Sequence, residues 1–346
     1  MVWLTPPIAV ALTLLAGSAL FAALGFDPLA ALHAYFVEPV STVYGLGELA
    51  VKATPLALIA TGLAVGFRAN VWNIGAEGQL TMGAVLGGGV ALAAWGHEGP
   101  WLLPLMLAAG VLGGALWAAV PALLRTRFNA SEILVSLMMV YVASLFLNWL
   151  VHGPWKDPEG FNFPQSRMFE DDALLPVLAE GTRLHLGAPL ALAAVAAGWF
   201  LLARTFVGFQ VKVLGLTPAA ASYAGFDQNR LIWFCLLLSG GLAGLAGVVE
   251  AAGPIGQLTP SVSPGYGFTA IIVAFLGRLH PLGILLAALL IALSYIGGEA
   301  AQITLQLPIA VTGVFQGMLL FFLLATDVLI RYRVRWGRPG QEAAGA

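Results

Sequence analysis

The chain has 346 residues, 60% of them apolar and 9% charged, with a mean hydropathy of +0.90; soluble domains carry about 25% charged residues, so water alone is excluded as its solvent. A net charge of −2 without a clustered basic footprint argues against a nucleic-acid partner. Cys235 is the only cysteine, which excludes an intrachain disulfide and a multi-thiolate metal site.

A helix that crosses a bilayer needs about 20 mostly apolar residues, because the hydrocarbon core is about 30 Å thick. Apolar runs between polar punctuation place spans at 7–26, 46–66, 75–95, 101–124, 131–151, 187–203, 231–252, 266–277, 281–298 and 308–330. The expected fold is therefore an all-α integral membrane protein, about ten transmembrane helices in one bundle and a single domain over 1–346. The first run lacks a basic leader and a small-x-small cleavage site and reads as a span. Residues 28–37 behind it are short and amphipathic, and are expected to lie along the outer interface.

In the second span Glu48 and Lys52 are four residues apart, share a helix face and are expected to pair. Between the second and third spans lies a dense polar cluster, 67–79, with almost no room for a loop. Asn73 and Glu77 within it have the spacing of one helix face. Either it is a tight inner turn whose side chains cap helix ends, or it is a broken helix whose polar groups line a cavity; local chemistry leans to the turn. Glu132 opens the fifth span beside Arg125 and Arg127, an ordinary place for an acid. Glu250 and Glu299 are read as outer helix ends. The 42 glycines cluster inside or at the ends of spans, as at Gly87-Gly88-Gly89 and Gly240-Gly241, where small residues let helices approach closely.

Basic loops stay on the cytoplasmic side. Arg68, Arg125, Arg127, Arg204, Lys212, Arg230 and Arg278 fall at one set of helix ends, with Arg331, Arg333, Arg335 and Arg338 in the tail. Only Lys52, Lys156, Arg167 and Arg183 fall on the other side. Both termini are thus expected in the cytoplasm, with 152–186 an external, acidic loop and 205–230 a cytoplasmic one. The basic tail reads as a stop signal that can also meet anionic membrane lipid. In the cytoplasmic loop, Thr217 suits an N-cap, Pro218 the first helical position and Gly225 a terminator. The result is a short helix with a smooth alanine surface, either a docking knob or a connector. The run 266–277 is too short to cross unless tilted, broken or buried.

No Gly-Lys pair exists to build a phosphate-binding loop, His97-Glu98 is not followed by a second histidine, and no serine sits in a Gly-x-Ser-x-Gly frame. A membrane enzyme is disfavoured, and no cofactor is called for. An ion-coupled carrier would keep ionisable groups inside the bundle, and few are present.

The stretch Asn73-Ile74-Gly75-Ala76-Glu77-Gly78-Gln79 resembles the signature of permease subunits of ABC importers in the branched-chain amino acid and ribose superfamily, nucleoside and simple-sugar branch. Gly215-Leu216-Thr217-Pro218-Ala219-Ala220-Ala221-Ser222-Tyr223-Ala224-Gly225 is similar to that branch's cytoplasmic coupling helix, followed by Leu238-Ser239-Gly240-Gly241. Ser131-Glu132-Ile133 through Val140-Tyr141 is similar to a third pattern, with Ser131 and Val140 standing where the family has asparagine. The resemblance implies a bacterial plasma-membrane permease that moves a nucleoside or simple sugar by alternating access. It implies a second permease subunit, an external solute-binding protein and a cytoplasmic ATP-binding subunit. The last would dock on Gly215, Pro218, Ala219, Ala220, Ala221, Ala224 and Gly225. Asn73, Glu77 and Gln79 are the candidate pathway residues. An amino acid permease of the same superfamily and an ion-coupled secondary carrier are the alternatives.

Overall fold

A computed structural model describes residues 5–97, 99–308 and 310–331; Glu98 and the basic residues Arg333, Arg335 and Arg338 lie outside the described residues. Every apolar run read from the sequence is helical. The chain opens with α1 (Thr5–Ala23) and a short α2 (Pro28–Phe36), then α3 (Val43–Arg68), α4 (Ala76–Ala93), α5 (Leu102–Phe128) and α6 (Glu132–His152). After a long loop come α7 (Gly187–Arg204), the small helices α8 (Phe206–Leu216) and α9 (Pro218–Tyr223), and α10 (Gln228–Glu250). The last three are α11 (Tyr266–Leu276), α12 (Pro281–Leu305) and α13 (Ala310–Arg331).

Among the described residues, seven helices are long and apolar enough to cross a membrane: α1, α3, α5, α6, α7, α10 and α12. The first turn of α4 carries Glu77 and Gln79, and its middle is glycine-rich. With 11 residues α11 is about 16 Å long at 1.5 Å per residue, half of what a crossing needs. It is a half-helix.

Helices α3 and α10 form the centre. From Ala53 to Phe67 every residue of α3 is buried, and α10 packs on α3, α4 and α5 together. Glycine makes the second arrangement possible. A Cβ on Gly244 of α10 would lie 2.1 Å from the Gly110 carbonyl of α5, and one on Gly83 of α4 would lie 2.2 Å from the Gly244 Cα. The three backbones therefore touch directly, which raises van der Waals contact where lipid gives no hydrophobic drive to association.

Helix α2 forms because Asp27 accepts the Leu29 N–H and Pro28 opens the first turn. One side of it packs on protein, with Ala31, Ala34 and Tyr35 buried, while Leu29 and Val37 stay exposed. Tyr35 is fully buried, its ring stacked on Phe315 at 4.9 Å and its hydroxyl 3.2 Å from Ser294 of α12. The loop 152–186 is also tied down: Ser166, Phe169 and Leu175 donate backbone N–H groups to the carbonyls of Leu258, Gly256 and Ala252.

Candidate translocation site

The polar cluster between α3 and α4 is neither a tight turn throughout nor a continuous helix. The turn proper ends at Asn70, in a left-handed conformation with φ 56°. Residues 71–75 then run without regular secondary structure before α4 begins, with Val71, Asn73 and Gly75 buried. Irregular backbone is tolerated at such depth only when its polar groups are satisfied, and here they are. The Ile74 N–H reaches Ser136 Oγ at 3.3 Å, and the Gly75 N–H reaches Asn73 Oδ1 at 3.1 Å. Asn73 Nδ2 donates to Gln79 Oε1 at 2.7 Å and to Ser239 Oγ, halfway along α10, at 2.9 Å. Gln79 Nε2 returns a bond to Asn73 Oδ1 at 3.0 Å. Asn73 and Gln79 are each 1% exposed. Because Asn73 precedes the helix, it faces Gln79 and not Glu77, contrary to the helical spacing.

Glu77 points elsewhere. Its Oε2 accepts the Gly267 N–H, in the first turn of the half-helix α11, at 2.6 Å. Ser263 Oγ takes the N–H groups of Gly265 and Tyr266 at 3.1 and 2.9 Å. The positive end of α11 is therefore already met by a carboxylate and a hydroxyl. The approach is close: a Cβ on Gly267 would lie 2.2 Å from the Glu77 nitrogen.

Beside this junction lies a cavity of about 420 Å³, bounded by Lys52 of α3, Pro264, Gly265, Phe268 and Thr269 around α11, Tyr295 and Glu299 of α12, and Gly313 and Gln316 of α13. Lys52 pairs with Glu299 at 3.2 Å, and the hydroxyls of Tyr295 and Thr269 share a 2.9 Å bond. The expected Glu48–Lys52 pair does not form. Arg183, in the loop before α7, instead donates to both oxygens of Glu48, at 2.8 and 2.5 Å, because a bidentate fork outcompetes a single helical contact. That carboxylate raises the Arg183 guanidinium further above its ordinary range. Glu250 does end α10, but it is buried, and Glu299 lies inside α12 rather than at its end. A larger cavity of about 510 Å³ between α1 and α12 is walled by Val10, Leu14, Leu286 and Leu290 and has little chemistry to offer a solute.

On the opposite side of the bundle, Thr217 precedes α9 without making a side-chain cap bond, Pro218 opens the helix, and Gly225 ends it with φ 75°. Pro218, Ala219, Ala220, Ala224 and Gly225 are exposed, whereas Ala221 is buried. Gly215 belongs to the contact beneath: a Cβ there would lie 1.9 Å from the Arg68 carbonyl at the end of α3. Arg68 Nε in turn donates to the Leu279 carbonyl at 3.1 Å, just past α11, and Phe67 stacks on Phe275 at 5.1 Å. Glu132 opens α6 paired to Arg125 at 2.5 Å, as its position suggests. Val140, where the family pattern has asparagine, packs its backbone on Gly78, whose Cβ would lie 2.8 Å away.

Sequence reasoning missed Phe268, Thr269, Tyr295 and Gln316 altogether and assigned Lys52 and Glu299 other settings. The available signal was the presence of a lysine, a glutamate and a glutamine inside apolar runs, which in a membrane segment marks function by default.

Residues 45–324 match the family model described as branched-chain amino acid transport system / permease component. The glucose ABC transporter permease protein of Haloferax volcanii is 37% identical, over 98% of this chain and 92% of its own length. The guanosine ABC transporter permease protein of Bacillus subtilis is 31% identical, over 95% and 94%. The nucleoside ABC transporter permease protein of Lactococcus lactis subsp. cremoris is 27% identical, over 94% and 92%. With the family model spanning most of the chain and two relatives above 30% identity across nearly all of it, the protein belongs to this permease family and is a multi-pass membrane transport component.

Proposed function

We propose that this permease serves an ATP-driven importer in a bacterial plasma membrane and passes a nucleoside or simple sugar by alternating access, with ATP hydrolysed on a partner subunit. The observation that carries the solute class is the occupied positive end of α11. Glu77 and Ser263 take its free N–H groups, so no helix end is offered to a solute carboxylate, as an amino acid would require. The adjoining cavity holds one ion pair whose charges cancel, and suits an uncharged polyhydroxyl solute. The glucose and guanosine permeases among its relatives agree with this.

In this reading residues 1–346 form one permease domain of ten membrane helices with both termini in the cytoplasm. Loop 152–186 is external and meets a solute-binding protein, and a second permease subunit completes the channel. Loop 205–230 is cytoplasmic. Pro218, Ala219, Ala220, Ala224 and Gly225 face the ATP-binding subunit, and Gly215 and Ala221 seat α9 on its base. Movement of α9 passes through the Gly215–Arg68 contact and the Arg68–Leu279 hydrogen bond to the α11–α12 turn. Glu77 belongs to the pathway wall, and Asn73 and Gln79 brace it from behind.

Proteoliposomes holding the permeases, the ATP-binding subunit and the binding protein test this. ATP-dependent accumulation of labelled guanosine or D-glucose is expected. Accumulation of leucine alone, or uptake without the ATP-binding subunit, would overturn it.

A further inference from the structure

Resting on the importer reading, we propose that the cavity between α3, α11, α12 and α13 is a solute-recognition site for the vicinal diol of a pentose or hexose ring, so that the permease itself selects its cargo. The volume, about 420 Å³, is that of a small-molecule site. Three features set its chemistry. The Glu299 carboxylate is held at 3.2 Å from Lys52 yet has a side chain 54% exposed, so it is fixed in place and still open to a ligand. A carboxylate accepts from two neighbouring hydroxyls at once, and the ammonium beside it has donors to spare. Gln316, only 9% exposed, has an Nε2 with no well-formed hydrogen bond among the described residues, its neighbouring acceptor being the Tyr295 hydroxyl. A buried donor left unmade is costly, and a ring or hydroxyl oxygen in the cavity would satisfy it. Phe268, 41% exposed at the wall, presents an apolar face to the C–H side of a sugar ring. The Tyr295–Thr269 bond holds the opposite wall.

A ring without the diol forfeits the bonds to Glu299 and Gln316 and is held more weakly. The same diol occurs in a ribonucleoside and in a free sugar. The probes must therefore separate the two.

The test is equilibrium binding to the permease–ATPase complex in nanodiscs, without the binding protein, using tritiated guanosine and tritiated D-glucose in separate arms. Saturable binding of either is expected, and the arm that binds names the source. In the guanosine arm, 2′,3′-dideoxyguanosine should compete at least tenfold more weakly than guanosine. Glu299→Gln should remove that discrimination, and Gln316→Leu should weaken binding about tenfold. Because Glu299→Gln leaves Lys52 without its partner and can impair folding, Gly313→Leu supplies an independent arm. Gly313 lines the cavity, and among the described residues nothing lies within 4 Å of a Cβ there, so a leucine has room at the cavity wall and should abolish binding in a folded protein. Absence of binding in both arms, while the complete transporter imports guanosine or glucose, overturns the site and leaves the importer reading intact. Equal competition by the dideoxy compound, or full binding by the Gly313→Leu protein, also overturns it. Failure of the complete transporter to import either solute overturns the importer reading itself.

Discussion

Two polar regions sit inside this bundle, and they are held in opposite ways. Around Asn73 the hydrogen bonds interlock: its amide oxygen and nitrogen serve Gly75, Gln79 and Ser239 at 2.7 to 3.1 Å, and almost none of it is exposed. Around Lys52, Glu299 and Gln316 one ion pair is partly solvated and one amide donor makes no well-formed hydrogen bond among the described residues. A saturated network specifies a conformation. An unsaturated one beside a cavity is poised to meet something else. The contrast separates a brace from a binding surface, and substitutions can break or sharpen it.

The largest expected effect is at the brace. Asn73→Leu leaves the Gly75 N–H, Gln79 and Ser239 without their shared partner, each at a cost of about 1–3 kcal/mol when buried. We expect a loss of roughly 3 kcal/mol or more, seen as a sharp fall in the thermal midpoint in detergent, with transport lost alongside folding. Glu77→Gln should do less, because an amide oxygen still accepts the Gly267 N–H but the charge facing the helix end is gone; about 1 kcal/mol is expected. Here transport should fall more than stability, measured as turnover against melting temperature on one preparation. Lys52→Met should cost under about 1 kcal/mol, since its pair with Glu299 is partly exposed. If it melts as badly as Asn73→Leu, the distinction between brace and cavity fails.

The smallest effect belongs to the outer rim. His185 is buried beside Arg183, and burial first, then that charge, push its imidazole down to about 4. Its Nδ1 accepts the Gly187 N–H at 3.1 Å, which only the unprotonated nitrogen can do. The folded form thus binds the proton later than the unfolded form, whose value is about 6.5. The stabilisation is fully present above about pH 6.5 and is lost progressively as pH falls towards 4. The protection factors of amides across the Val177–His185 bridge, with the intrinsic pH dependence of exchange divided out, should fall between pH 7 and 5, whereas those in α10 should not.

Much of the fold was legible. The apolar runs became helices at nearly the expected boundaries because the bilayer sets a length rule that needs no tertiary knowledge. The Pro218 start and Gly225 stop of α9 follow from backbone chemistry alone. What stayed hidden depended on partners far away in sequence. Residues 71–75 are too few to show a period, and their irregular course is held by Ser136 and Ser239. Lys52 looked bound to Glu48 because a four-residue spacing is all a sequence offers, yet Arg183, far along the chain, took that carboxylate. Helix α2 was legible as amphipathic, but not that its face would be matched to Phe315 and Ser294. The cavity draws on four helices, and no local pattern announces it.

The glycine contact among α4, α5 and α10 also bears on how the bundle can move. Where backbones meet without side chains there are no rotamers to rearrange, so sliding one helix past another has no stepwise route. These three helices act as a fixed abutment. The α11–α12 turn, where Arg278 and Leu279 both sit in left-handed conformations, is closed as tightly: a Cβ on Gly277 would lie 2.4 Å from the Ile284 nitrogen. With Glu77 bound at one end and Arg68 just past the other, the half-helix is clamped at both ends against that frame.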